Sequence, residues 1–299
     1  MIKRMLSFTA LWALAAMGAQ AQTGPKIYIS VDMEGVAGVV SPEQLGPSGH
    51  EYARFREFMT GEAIAAIEGA REAGAGEIVV SDSHGNMLNL LVERMPEGVR
   101  VIRGRPRPLS MMQGIEEGGF DGVMFIGYHA SASNTEGVRA HTMSSARLSE
   151  VLMNGVPTSE GYINAAVAGQ YGAPVILVSG DDAAVEEVAA RVGDPERAVV
   201  KRNIGFHAAE IMTPQAAQAL IRERARAAVG RIEDFEPMRL RGRIDLDITF
   251  HFYRPAELLA WLPSVERLGA RSVRYRAENP ADALTFLSFA TGYTVALEP

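Results

Sequence analysis

The chain has 299 residues, 47% of them hydrophobic and 22% charged, with a net charge of −7. That is enough for one large α/β domain or two smaller ones with a real core, and with no basic block or interleaved aromatic stripe it excludes nucleic acid as the expected partner. With no cysteine, disulfides, thiolate zinc, iron–sulfur clusters and a lipoprotein anchor are excluded, so any metal must be held by His, Asp or Glu.

The first 21 residues read as a signal peptide. Lys3 and Arg4 give a positive start, an apolar run follows, and "AQA" at 19–21 has the small residues of a cleavage site. The run is ~15 residues, short of the ~20 needed to span a bilayer. Cleavage after Ala21 leaves 27 basic and 36 acidic residues, a net charge of −9. The expected product is exported, periplasmic or secreted, with no stable membrane anchor.

From there short apolar runs alternate with longer helical patterns. "KIYISVD" (26–32), "EIVVSD" (77–82), "VRVIRG" (99–104), "GVMFIGYH" (122–129) and "PVILVSG" (174–180) read as strands covered on both faces. Residues 53–73 form an amphipathic pattern that ends near Gly74, a C-cap. Residues 160–171, 182–192 and 214–229 also read as helices, with Asp181 and Asp182 capping the second of them. "LRGRIDLDITFHFY" (240–253) alternates like a half-exposed antiparallel strand, and a helix (255–261), a strand (272–277) and a helix (280–291) follow. The predicted fold class is α/β: a mostly parallel, doubly wound sheet over 26–235, with a smaller C-terminal α+β lobe over 236–299.

Ligands of an open parallel sheet bind beyond the carboxyl ends of its strands. The first predicted strand ends in Asp32 and Glu34, which period-two alternation puts on one side. The second ends in "SDSHGN", with Asp82 and His84, and the fourth in "GYHA", with His129. His141 lies in a loop twelve residues further on, and Glu160 starts a predicted helix. Two histidines and three carboxylates (Asp32, Glu34, His84, His129, Glu160), with His141 to spare, exceed what one four-coordinate zinc needs and suit a metal pair sharing a carboxylate. Taken singly, each has an ordinary reading as a turn acid, a first-turn acid or a core histidine.

The other polar residues carry less. His50 reads as solvated, His207 as entering a helix without an acid partner, and His251 as packing on the alternating strand. Arg103, Arg105 and Arg107, broken by Pro106 and Pro108, read as a solvated loop, with an anion contact or a subunit interface as alternatives. No Gly-x-Ser-x-Gly elbow is present, and no G-x-G-x-x-G follows the first strand.

"SVDMEG", "SDSHGNM", "GYHA", "HTMS" and "EGYINA", in this order, resemble the zinc-dependent D-aminopeptidases of the dipeptide-transport-associated type. The similarity runs from about Lys26 to the C-terminal helix, and "VSGDD" and "VKRNIG" are further similar segments without assigned chemistry. The resemblance implies two zinc ions per subunit, with the metal ligands falling on Asp32, Glu34, His84, His129 and Glu160 and the non-ligand active-site histidine on His141. It also implies release of N-terminal D-amino acids, D-Ala among them, from short peptides or amides, and a large ring-shaped homo-oligomer. The apparent signal peptide departs from the family's pattern. Another two-metal hydrolase on this scaffold, such as an amidase or phosphoesterase, and a non-catalytic exported metal-binding protein are the alternative readings.

Overall fold

The computed structural model describes residues 24–293, so the signal-peptide reading lies outside the described residues. In chain order the strands are β1 (Ile27–Val31), β2 (Ile78–Asp82), β3 (Val99–Ile102), β4 (Gly122–Tyr128), β5 (Leu148–Met153), β6 (Val156–Pro157), β7 (Val175–Asp181), β8 (Glu196–Gly205), β9 (Ala208–Ile211), β10 (Ile244–Phe250), β11 (Val265–Arg267) and β12 (Ser272–Ala277). The helices are α1 (Tyr52–Glu72), α2 (Glu160–Gln170), α3 (Asp182–Val192), α4 (Pro214–Gly230), α5 (Tyr253–Leu259) and α6 (Pro280–Gly292).

One seven-stranded sheet runs β3-β2-β1-β4-β7-β8-β9. All its pairs are parallel except the β8–β9 hairpin. Every residue of β1, β2, β4 and β7 is buried, in keeping with their mostly apolar sequences. Ile27, Ile29 and Val31 pack against Phe55 and Met59 of α1 and Ile221 of α4. Tyr28, Phe125 and Tyr128 face the other way, into a core shared with α2, α3, α6 and a second sheet. The fold is therefore mixed α/β with a mostly parallel sheet, as the alternation of patterns predicts.

The second sheet is antiparallel throughout, in the order β11-β12-β10-β5-β6. Its strand β10 alternates buried and half-buried residues, matching the predicted half-exposed strand. Two of its five strands, β5 and β6, come from the middle of the chain, between β4 and α2. The sequence pattern puts that segment inside the first domain without a strand. The hairpin is short and polar in places, so it carries no apolar run. Strands β8, β9 and β11 were also not predicted: Glu196–Gly205 is charged along much of its length, and β9 is exposed apart from one half-buried residue.

Local chemistry sets the helix starts. Ser159 accepts from the Tyr162 amide to cap α2, and Asp181 accepts from Ala184 to cap α3. Asp182 does not cap in that way; it accepts from the amide of Asn203. Thr213 with Pro214, and Asn279 with Pro280, open α4 and α6.

The chain leaves β1 toward β2 and β3 on one side, and β4, β7 and β8 lie on the other. The topological switch point, where a crevice opens beyond the strand ends, is therefore between β1 and β4. There the backbones interlock. The amide of Gly35 donates to Gly127 O at 2.7 Å. A Cβ on Gly35 would lie 2.0 Å from Tyr128 O, and Gly127 adopts φ +72° with its own Cβ position 2.4 Å from Asp32 O.

Candidate metal centre

Strand β1 delivers Asp32 and Glu34 to the switch point, β2 delivers His84, and β4 delivers His129. Glu160 is the first residue of α2, where a carboxylate is favoured by the helix dipole. The loop from β4 to β5 brings His141. That loop is pinned by Thr142, whose hydroxyl donates to Thr158 O at 2.8 Å, next to the α2 cap. All six predicted residues converge on one cavity of about 650 Å³. The five predicted ligands are each no more than 7% exposed.

The distances divide them into two groups with one residue between. His84 Nδ1 lies 2.8 Å from Glu34 Oε2 and 3.3 Å from Asp32 Oδ1. His129 Nε2 lies 3.4 Å from Asp32 Oδ2 and 3.3 Å from Glu160 Oε1. Asp32 thus presents one oxygen to each group. His141 stacks on His129 with ring centroids 4.0 Å apart. Its Nε2 is 3.9 Å from Glu160 Oε1 and 4.0 Å from Glu34 Oε1.

Backbone carbonyls fix all three imidazoles. His84 Nε2 donates to Leu45 O at 2.7 Å, His129 Nδ1 to Ala130 O at 3.0 Å, and His141 Nδ1 to Arg139 O at 2.9 Å. In each neutral ring the second nitrogen then turns a lone pair toward the carboxylates. Lone pairs aimed at anions repel unless a cation lies between them. Asp32 Oδ2, Glu34 Oε2 and His129 Nε2 are buried without a hydrogen-bond partner, which is costly in a site built only for the protein's own contacts. Donor atoms ~2.0–2.1 Å from a tetrahedral zinc lie ~3.3–3.4 Å from one another, close to the spacing of Asp32, His84, His129 and Glu160. The residues fit zinc.

Without a cation, protons balance the charge. Burial pushes the Asp32 carboxyl up to about 7, and Glu34 adds to the shift. Burial works on Glu34 in the same sense, but His84, then His141 and His129, hold it well below the usual range. Burial opposes charging of His129, yet Glu160 and Asp32 lift it to about 10. His84 is raised well above its ordinary value by Glu34 and Asp32 against the same opposition. His141 is lowered, first by burial and then by His129, so it stays neutral. Metal entry displaces protons from the imidazoles that face the carboxylates.

Several contributors were not legible in the sequence. Lys201, in the "VKRNIG" segment, is 1% exposed. Its ammonium donates to the carbonyls of Glu34, Val36 and Val39, locking the turn that carries Glu34. Glu62 of α1 accepts from the Ala37 amide of the same turn at 2.8 Å. Lys201 follows the apolar pair Val199–Val200 in a strand that also carries Glu196, Arg197 and Arg202, so nothing in the sequence singles it out. Met87, Ser110 and Met143 line the cavity with φ of 58°, 45° and 60°, and Arg139, whose carbonyl holds His141, has φ 57°. Such left-handed backbone in non-glycine residues is strained and clusters at working sites. Ser288 and Thr291 of α6 complete the wall, so the C-terminal segment closes one side of the cavity.

Other expectations are corrected. His207 does not enter a helix; it sits in the β8–β9 turn, with Arg139 at 3.3 Å. His251 lies just past β10, exposed, its Nε2 3.2 Å from Ser145 O. His50 is exposed, as predicted. Asp82 is fully buried and holds the amides of Asn89 and Leu90, so it is a structural acid. Arg105 and Arg107 are not simply a solvated loop; both line the cavity. Among the described residues no helix is long and apolar enough to cross a membrane.

The comparisons with known proteins agree with this arrangement. The D-aminopeptidase family, peptidase M55, matches residues 26–289. A D-aminopeptidase of Bacillus subtilis (strain 168) is 35% identical over 259 residues, 86% of this chain and 93% of that protein. The solved structure of the Zn-dependent D-aminopeptidase DppA from Bacillus subtilis, described as a self-compartmentalizing protease, superposes with a TM-score of 0.85 at 32% identity, over 92% of this chain and 98% of the other. The motifs, the sheet and the match along nearly the whole described chain lead to one conclusion: this protein belongs to the peptidase M55 family of D-aminopeptidases and is a hydrolase.

Proposed function

We propose that the protein is a binuclear zinc aminopeptidase that releases N-terminal D-amino acids, D-Ala among them, from short peptides or amides. The observation that carries this is the position of Asp32, one oxygen toward His84 and the other toward His129. Asp32, Glu34 and His84 would hold one ion and His129 and Glu160 the other, with Asp32 placed between the two groups. Zinc bound there supplies Lewis acidity, easing the ionisation of a water and polarising a carbonyl. The rest is the work of the chain. His141, neutral and with its Nδ1–H committed to Arg139 O, has Nε2 open as a base. It takes a proton as the attacking water loses one and returns it to the leaving amine. Burial of the carboxylates weakens the solvent screening of their charges.

The relative's description as self-compartmentalizing supports a homo-oligomer here as well, and a ring is the form we propose. The signal-like first 21 residues support export, to the compartment where D-Ala peptides of the cell wall are handled. The test is turnover of D-Ala-D-Ala and L-Ala-L-Ala by the mature protein, with metal content measured on the same sample. Two zinc per chain and cleavage of the D-peptide alone is the expected result. Two zinc with neither peptide cut transfers the site to another hydrolase class, and a protein that binds no zinc removes the metal reading.

A further inference from the structure

The cavity has two electrostatic poles. At one stand Asp32, Glu34 and Glu160 with their histidines; at the other are guanidinium groups, including those of Arg105 and Arg107. No acid other than the three at the metal pole lines it. Arg107 is half-buried. Its Nη2 donates to Asp82 O at 2.8 Å and lies 2.6 Å from Met87 Sδ, both in the segment that carries His84. Its Nε and Nη1 are buried without a hydrogen-bond partner. Three of the five N–H donors of this guanidinium are thus unused. The carboxylate acting on it, Asp82, is spent on Asn89 and Leu90 and makes no ion pair with Arg107 among the described residues. Arg105, exposed at the same wall, has no hydrogen bond or ion pair among the described residues.

A buried cation with idle donors is costly unless an anion arrives to meet it. A guanidinium is matched to a carboxylate in both charge and shape. We infer that Arg107, assisted by Arg105, binds the free C-terminal carboxylate of the peptide whose amino end is processed at the metal pole. This rests on the proposed aminopeptidase function and narrows it: the preferred substrates are short peptides with a free carboxylate, and blocked peptides are poor ones. Arg107 is a specificity residue, touching substrate but not the reacting atoms. Its hydrogen bond to Asp82 O also ties the guanidinium pole to the segment that bears His84.

The experiment compares kcat and KM for D-Ala-D-Ala and D-Ala-D-Ala amide, which share the scissile bond and differ only in the carboxylate. Zinc-loaded wild type, R107M and R107K are measured. Wild type prefers the free acid. R107M loses on the order of tenfold or more in kcat/KM for the acid, chiefly through KM, and the preference over the amide collapses. R107K keeps the charge without the planar donors and falls between; it also serves should R107M fail to fold. If the variants lose equally on both substrates, Arg107 is only a support for the His84 turn and the inference is overturned. Unchanged kinetics on the acid overturn it as well. A wild type that cuts neither substrate overturns the proposed function and this inference with it, whereas cleavage with an unaltered acid-to-amide ratio in R107M overturns the inference alone.

Discussion

Replacing Asp32 by Asn separates a metal site from a set of structural ion pairs, because the two readings give opposite signs. In the metal-free protein Asp32 is buried beside Glu34, and its carboxyl is raised from 3.8 to about 7. The folded state therefore keeps a proton that the unfolded state has released between those values. Stability falls as pH rises through that window, and the penalty is complete above pH 7. The gap of about 3 pH units sets a ceiling of about 4 kcal/mol. Asn keeps an oxygen for the Met33 amide that Asp32 Oδ1 now accepts at 2.9 Å, and it carries no charge to bury. Asp32 also helps hold a proton on His84 and His129, which returns part of that ceiling, so chelator-stripped D32N at about pH 8 should be more stable than stripped wild type by about 2 kcal/mol at most, a rise in Tm of a few degrees. With zinc added the order reverses. Wild type gains RT ln(1 + [Zn]/Kd), while D32N, missing the shared ligand, gains little. The assay is thermal and urea unfolding of both proteins, with and without zinc. Stripped D32N less stable than stripped wild type, or an equal zinc gain in both, would refute the reasoning.

Three other substitutions test neighbouring parts of the argument. His141→Ala should keep both zinc ions and lose about 10²–10⁴ in kcat; loss of one zinc per chain would make His141 a ligand instead. Glu62 is fully buried, its carboxyl pushed by burial to about 7 from 4.5, so its contribution is present below 4.5 and lost as pH rises through 7. Glu62→Gln keeps the acceptor for Ala37 and should stabilise the protein by up to about 3 kcal/mol above pH 7. That gain should vanish in acid, and a pH-independent difference in unfolding midpoints would contradict the assignment. Gly35→Ala puts a methyl 2.0 Å from Tyr128 O, so the ends of β1 and β4 must part. Zinc affinity should drop at least tenfold with the fold retained by circular dichroism, and unaltered zinc binding would show that the interlock does not set the ligand spacing.

The sequence by itself determined five of the seven strands of the main sheet, β1, β2, β3, β4 and β7, and which candidate side chains stand at their ends. Mostly apolar runs such as "KIYIS" and "GVMFIGYH" are readable because strands buried on both faces take few polar residues. The rule that sites lie at strand carboxyl ends then selects Asp32, Glu34, His84 and His129 without reference to coordinates. The sequence did not determine the second sheet's membership. Strands β5 and β6 are short and partly exposed; β5 takes its place by pairing with the distant β10, and β6 by pairing with β5. Nor did it reveal Lys201, whose role depends on three carbonyls more than 160 residues distant, or that Arg107 faces the cavity. Side-chain periodicity reports which face of an element is buried. Which buried groups meet, and which oxygen of Asp32 faces which histidine, is decided only when distant segments pack, because a hydrogen bond or a metal bond has a reach of a few ångströms and no signature along the chain.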